Sequence, residues 1–255
     1  MELGFLGTGT ITAAMVTGLN AAKGGHSIHL SPRNAVVAAD LARRNPGVSV
    51  APTNQDVIDR SGTVVIAVRP QIAEEVLREL RFRSGQNVIS LVSGLPVSRL
   101  AGLVAPAGRI SRAVPLPAAA RRRSPTAIYP REQETVELFA LLGTAFAVAT
   151  EREFDALCTA TATMAAYFAF ADGAASWLTR QGIAEGQARD YIARIFLGLA
   201  ETAVERPERS FAELAEDHAT RGGTNEQVVR HMTEHGVYES FSEALDGVMR
   251  RVTGR

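Results

Sequence analysis

The stretch that most restricts this chain is Gly4-Phe5-Leu6-Gly7-Thr8-Gly9-Thr10-Ile11-Thr12-Ala13-Ala14-Met15. Glu2–Leu6 reads as a short buried strand, Gly7-Thr8-Gly9 turns the chain at once, and residues 11–19 carry apolar side chains at helical spacing. A strand, a glycine turn and a helix in that order have a mechanical use. Gly7 permits the tight turn, Gly9 has no side chain to hold a pyrophosphate off the backbone, and a helix starting near Thr10 offers unpaired N–H groups to an anion. Ala13 takes the third small position, where helix and strand pack closely. Glycine turns also join strands to helices where no ligand binds, so the weight of the motif comes from its place at the head of a series of βα units.

That series runs through the first 150 residues. Strands are expected at 26–30, 48–51, 63–68, 87–92, Arg109–Val114, 126–129 and 145–149. Between them lie helices at Ala35–Arg44, 72–80, 98–103 and 132–142, with a brief helical turn at Asn54–Asp59. The unbroken apolar run at 63–68 suits a parallel sheet covered on both faces. This is α/β alternation, and it predicts a doubly wound sheet over 1–150. From Glu151 the pattern changes to long helical segments at 151–182, 184–204, 210–219, 225–235 and Val237–Thr253, which predicts an all-helical second domain over 151–255. Residues 154–178 are too apolar for the other helices of one chain to cover, so a homodimer is expected.

Two strand ends carry further information. The second strand runs into Ser31-Pro32-Arg33-Asn34, where a dinucleotide fold that prefers NAD would place an acid on the ribose hydroxyls. No acid is present; Ser31, Arg33 and Asn34 supply donors and one positive charge, which favours NADPH, with NADH possible. The strand at 63–68 ends in Arg69-Pro70-Gln71, at the edge where open α/β sheets bind ligands.

Other features restrict the function classes. Lys and Arg total 27 and so do Asp and Glu, which removes any global electrostatic case for nucleic acid or an anionic membrane. The single cysteine, Cys158, forms no internal disulfide and is compatible with a reducing cytoplasm; it reads as a core residue. Acidic Glu2 and the early glycines do not resemble a signal peptide, and Asp155 and Asp172 interrupt the apolar 154–178 stretch, which therefore reads as a buried or interface helix and not a membrane span. Tyr167 and Phe168 belong to the same core or interface. His231 and His235 stand at i, i+4 without the acid pattern of a zinc protease, so a solvated face is expected and no metal. Arg121-Arg122-Arg123 reads first as a solvated loop and second as a contact for a phosphate or an acidic substrate.

Several segments together resemble the pyrroline-5-carboxylate reductase family. They are Phe5-Leu6-Gly7-Thr8-Gly9, Asn54, Val64-Val65-Ile66-Ala67-Val68-Arg69-Pro70-Gln71 with Arg69 where the family usually has lysine, Ile89-Ser90-Leu91-Val92-Ser93-Gly94, Arg112-Ala113-Val114-Pro115-Leu116-Pro117, and Thr220-Arg221-Gly222-Gly223-Thr224-Asn225 with the closing helix. The resemblance implies an N-terminal Rossmann domain, a C-terminal helical domain interleaved with that of a partner subunit, and a reduced nicotinamide cofactor. It implies that Gly7, Thr8, Gly9, Thr10 and Ile11 hold the pyrophosphate. Ser31, Arg33 and Asn54 would surround the adenosine end, and Val68, Arg69 and Pro70 would border the ribose and nicotinamide. The substrate carboxylate would lie at Thr220, Gly222, Gly223, Thr224 and Asn225, with the Thr163 hydroxyl nearby and Thr224 and Asn225 nearest the reacting imine. Two adjacent glycines before a helix are a sensible anion site.

Departures cluster where substrate is expected. Thr161-Ala162-Thr163-Met164-Ala165-Ala166-Tyr167 stands in place of a serine-glycine-serine-glycine-proline run, so Met164 and Ala165 fill space a small ring would use. Leu116 replaces an asparagine, Arg221 a proline, and Asn225 the second threonine after the double glycine; its amide can still donate to an imine nitrogen. The function expected is NADPH-dependent reduction of a C=N bond in a small cyclic imino acid, with pyrroline-5-carboxylate to proline as the reaction. The alternatives are a paralogue acting on another imine or keto substrate, and a non-catalytic NADP-binding regulatory protein.

Overall fold

Thr63–Ile66 is buried at every position, and a strand covered on both faces belongs in the middle of a parallel sheet. The computed structural model, which describes residues 1–254, places it there. Among the described residues the sheet has eight strands: β1 (Glu2–Leu6), β2 (Ser27–Leu30), β3 (Val48–Val50), β4 (Thr63–Ile66), β5 (Asn87–Ser90), β6 (Arg109–Val114), β7 (Ser124–Tyr129) and β8 (Gly143–Ala147). Their order is β3-β2-β1-β4-β5-β6-β7-β8. The first six are parallel, in the 3-2-1-4-5-6 order of a doubly wound dinucleotide fold. β7 then runs antiparallel to β6, and β8 parallel to β7.

The helices α1 (Thr10–Ala21), α2 (Ala35–Arg44), α3 (Asn54–Asp59), α4 (Pro70–Arg78), α5 (Val97–Leu103) and α6 (Gln133–Ala140) connect the strands. Two apolar clusters flank the sheet. One gathers Phe5, Met15, Leu19, Leu30, Ile128 and Phe139 beneath α1 and α6; the other gathers Leu6, Val57, Ile66, Leu77, Val88 and Leu100 on the opposite face. Burial on both faces is what fixes the register and aims the carboxyl ends of β1, β2 and β4 at one edge.

Several boundaries shift by about two residues from the sequence reading, β5 ending at Ser90, β7 starting at Ser124 and β8 spanning Gly143–Ala147 among them; three further differences bear on the site and the helical half. The strand expected at 63–68 stops at Ile66, because Arg69 caps α4 and Pro70 takes its first turn, where a missing N–H is harmless. The loop after β6 contains a 3-10 turn at Pro117–Arg121. The helix expected at 151–182 is two, α7 (Glu151–Ala160) and α8 (Thr163–Arg180). Between them the Ala162 N–H donates to the Thr159 carbonyl, the Met164 N–H to the Thr161 carbonyl and Thr163 Oγ1 to the Ala160 carbonyl, which tightens the turn and breaks the regular ladder.

The chain divides into two units, Met1–Cys158 together with the residues after Arg251, and Thr159–Arg251. The second unit is helical, with α9 (Glu185–Glu205), α10 (Phe211–His218), α11 (Thr224–Glu234) and α12 (Val237–Thr253) after α8. Within it α8 buries none of its residues, and Phe168, Phe170 and Trp177 are exposed.

Candidate active site

The β1–α1 turn owes its shape to Gly7. Its φ is +105, and a Cβ there would sit 2.5 Å from the Ala67 carbonyl oxygen. Gly9 differs: it is the extended N-cap of α1, and a Cβ built on it meets nothing within 4 Å. No side chain caps α1 and no acid lies in its first turn, so the amides that open the helix at Thr10 and Ile11 face outward with their positive end unopposed. Thr8 is buried, whereas Gly9 and Thr10 are exposed.

Four hydrogen bonds hold this turn. The Gly7 N–H donates to Ser31 Oγ at 2.9 Å, Thr8 Oγ1 to the Ser31 carbonyl at 3.3 Å, Asn34 Nδ2 to the Thr8 carbonyl at 3.1 Å, and Thr12 Oγ1 to the Gly7 carbonyl at 2.7 Å. The end of β2 is thus a brace for the glycine turn. Ser31 and Asn34, expected as donors toward an adenosine, use side-chain atoms on the turn itself, while Arg33 between them is exposed and makes no ion pair among the described residues. Thr12 was not singled out by the sequence; a threonine five residues after the first glycine is its only signal. Asn54 opens α3 behind a capping box made by Thr53 and Asp56. Val68 is half-buried, and Arg69 and Pro70 are exposed at the start of α4.

The loop after β6 lies against α1: the Ala119 carbonyl is so close to Gly18 that a Cβ there would be 2.1 Å away. Arg122, with φ +57, donates from Nε to the Leu141 carbonyl at 2.9 Å, and Arg121 and Arg123 are exposed. Leu116 is fixed through its N–H, which donates to Ser124 Oγ at 2.8 Å. Cys158 is a poor nucleophile, because burial pushes its thiol up to about 12.

In the second unit, Thr220 to Asn225 form a turn entering α11. Gly222 has φ +76. The Gly223 N–H donates to the Thr220 carbonyl at 2.7 Å, and the Gly222 N–H to Glu226 Oε2 at 2.6 Å. Both amides expected to point at a substrate carboxylate are therefore engaged within the turn, leaving the first N–H groups of α11, behind an uncapped Gly223, as the available donors. Asn225 Nδ2 donates to the His218 carbonyl at 3.0 Å, which fixes the amide and leaves its second hydrogen and Oδ1 for other partners. Thr224 and Thr220 are exposed, and Met164 is exposed near the start of α8. Glu226 was missed by the sequence reading. His231 and His235 stack at 4.0 Å, and His235 Nδ1 lies 2.7 Å from the His231 carbonyl; among the described residues no three potential ligands gather in a metal-binding group.

An open glycine turn at the edge of a 3-2-1-4-5-6 sheet, followed in the chain by a helical unit, is the arrangement of the dinucleotide-binding class. Residues 2–94 match the family described as NADP oxidoreductase, coenzyme F420-dependent, and residues 151–254 match pyrroline-5-carboxylate reductase dimerisation. Residues 151–254 thus carry the dimerisation region of the pyrroline-5-carboxylate reductase family, and the whole chain is similar to members of that family. A relative of that name from Vibrio alginolyticus is 24% identical over 98% of this chain and 96% of its own. Two crystal structures share the fold. The 1-pyrroline-5-carboxylate reductase of Streptococcus pyogenes has a TM-score of 0.87 at 23% identity, covering 100% of this chain and 99% of its own. The pyrroline carboxylate reductase of Plasmodium falciparum with NADP bound has a TM-score of 0.85 at 16% identity, covering 100% and 97%.

Proposed function

We propose that the protein reduces the C=N bond of a small cyclic imino acid with NADPH, converting 1-pyrroline-5-carboxylate to proline. Residues 1–150 form the dinucleotide-binding domain and 151–255 the helical dimerisation and substrate domain. The observation that carries the reading is the rigid, open turn at Gly7–Thr10, joined in one chain to a helical half that matches the family's dimerisation region.

The residues fit a nucleotide diphosphate. Gly9 leaves the approach clear, and α1 presents uncapped amides with no acid nearby. In this reading Gly7, Thr8, Gly9, Thr10 and Ile11 hold the pyrophosphate, with Ser31 and Asn34 keeping the turn in shape. Arg33 meets the 2′-phosphate, Asn54 lies at the adenosine end, and Val68, Arg69 and Pro70 border the nicotinamide ribose. Bound NADPH supplies the hydride. The chain has little else to do than position a carbon, keep the nitrogen protonated and hold the carboxylate. Those tasks fall to Thr163, Thr220, Thr224 and Asn225 and to the first N–H groups of α11, with Gly222 and Gly223 shaping the turn and Thr224 and Asn225 nearest the nitrogen.

The segment Glu151–Arg180 is long and apolar enough to cross a membrane. Its match to the dimerisation family supports a subunit interface instead, in a cytoplasmic homodimer. Steady-state oxidation of NADPH in the presence of 1-pyrroline-5-carboxylate, with proline recovered in equal amount, tests the proposal. Tight NADPH binding without turnover on any imine would overturn it.

A further inference from the structure

The turn that opens α11 already holds an anion. The Gly222 N–H donates to Glu226 Oε2 at 2.6 Å, and Glu226 stands in the first turn of α11, over the positive end of the helix. Elsewhere in the chain a carboxylate at the third helical position bonds the N-cap N–H: Asp56 on Thr53 and Glu213 on Ser210 in capping boxes, and Glu153 on Thr150, where it also reaches the Ala149 N–H one residue further back. In α11 the N-cap takes no part: Gly223 has no side-chain partner and its N–H goes to Thr220, while the Glu226 carboxylate reaches one residue further back into the glycine turn.

We infer that Glu226 is a specificity-determining residue, an intramolecular competitor for the carboxylate position of the Thr220–Asn225 turn. This rests on the reading of that turn as the substrate site. A substrate carboxylate needs backbone N–H groups of the turn and of the first residues of α11, and Glu226 is a like charge already bound to one of the turn's, that of Gly222. The two repel at hydrogen-bonding distance, so the carboxylate of a substrate contributes less binding than an empty turn would give it. Asn225 is tethered to the His218 carbonyl and brings no charge to offset this. Arg221 is exposed beside the turn and makes no ion pair among the described residues; neutralising Glu226 leaves its positive charge for the ligand. The consequence is weak discrimination between cyclic imines that carry a carboxylate and those that do not.

The test uses the full-length protein, wild type and Glu226→Gln, since glutamine keeps an acceptor for the Gly222 N–H and removes only the charge. With NADPH saturating, kcat/KM is measured for 1-pyrroline-5-carboxylate and for 1-pyrroline. The ratio of the two is expected to rise by about tenfold or more in Glu226→Gln, through a lower KM for the carboxylated imine. A second arm needs no turnover: calorimetry with NADP+-loaded protein compares L-proline with pyrrolidine, and the Kd for L-proline is expected to fall by about tenfold relative to that for pyrrolidine. Unchanged ratios in both arms, or no L-proline binding to either protein, overturn the inference. Turnover with an unmoved ratio removes the competitor and keeps the imine-reductase reading. An improved L-proline Kd with no imine reduced by either protein does the reverse.

Discussion

Arg112 and Glu151 meet at 2.8 Å around a guanidinium whose side chain is 4% exposed. Asp155 lies 3.1 Å from the same nitrogen, and the Phe154 ring centre is 4.4 Å from the guanidinium carbon. Glu151 also accepts the Val97 N–H at 2.9 Å, so one carboxylate ties β6, the start of α5 and the start of α7 together. Arg112→Met leaves two carboxylates facing an apolar replacement. Removing one partner of a buried ion pair usually costs about 3–5 kcal/mol. Here the carboxylates are partly exposed and Arg112 Nε has no hydrogen-bond partner among the described residues, so a loss near the lower end, about 3 kcal/mol, is expected. Urea unfolding should show it as a lower midpoint with an unchanged slope.

The frame of the first unit was legible because glycine, proline and apolar runs mark it directly. The turn at Gly7 and the strand at β4 are local patterns, and local patterns survive folding. What the residues did not reveal is direction. Ser31 and Asn34 are visibly donors and acceptors, yet only the structure shows that they hold the glycine turn. Val68 looks like strand because it is apolar; Arg69 and Pro70 take the helix start away from it. The break at Thr161-Ala162 is invisible to periodicity, since tight backbone turns and one hydroxyl bonding back to a carbonyl, and not glycine or proline, mark the interruption of the ladder. Glu226 carries no mark of its own in the sequence, because its partner depends on the positive φ of Gly222.

Phe168 is 69% exposed and Trp177 54%, on a helix that buries no residue. An apolar face of that kind belongs to an interface. Phe168→Asp places a charge in it, and light scattering should then show the proposed dimer dissociating at a protein concentration at which the wild type stays associated, with the far-ultraviolet circular dichroism unchanged.

Arg33 is the cation at the end of β2 that no carboxylate engages among the described residues. Arg33→Ala is expected to weaken NADPH binding by about tenfold or more, as loss of a charge-assisted phosphate contact does. NADH, which lacks the 2′-phosphate, should lose far less. Fluorescence titration of both nucleotides into both proteins reads the difference; equal losses would mean that Arg33 acts on the fold of the turn.

Burial raises the Cys158 thiol from 9.0 to about 12. The native protein then keeps a proton that the unfolded chain releases above pH 9, so stability is complete below that pH and declines as the pH rises toward 12, by at most about 1.4 kcal/mol per unit. Cys158→Ala removes this slope. Urea midpoints at pH 8 and pH 10 should converge in the variant and separate in the wild type, and iodoacetamide should alkylate the native thiol slowly at pH 8.

Gly7 and Gly9 stand two residues apart and should fail in different ways. At Gly7 the φ of +105 and the Ala67 carbonyl 2.5 Å from a built Cβ both oppose any side chain, so Gly7→Ala is expected to destabilise the protein by about 1–3 kcal/mol and to distort the turn. Gly9 has extended backbone and free space around its Cβ direction. Gly9→Ala should leave the stability read from urea unfolding within about 0.5 kcal/mol of wild type, since nothing among the described residues meets the added methyl. A pyrophosphate on the α1 amides does meet it, and the Kd for NADPH should rise by about tenfold or more. Normal NADPH affinity in a fully stable Gly9→Ala protein would place the nucleotide somewhere other than this turn.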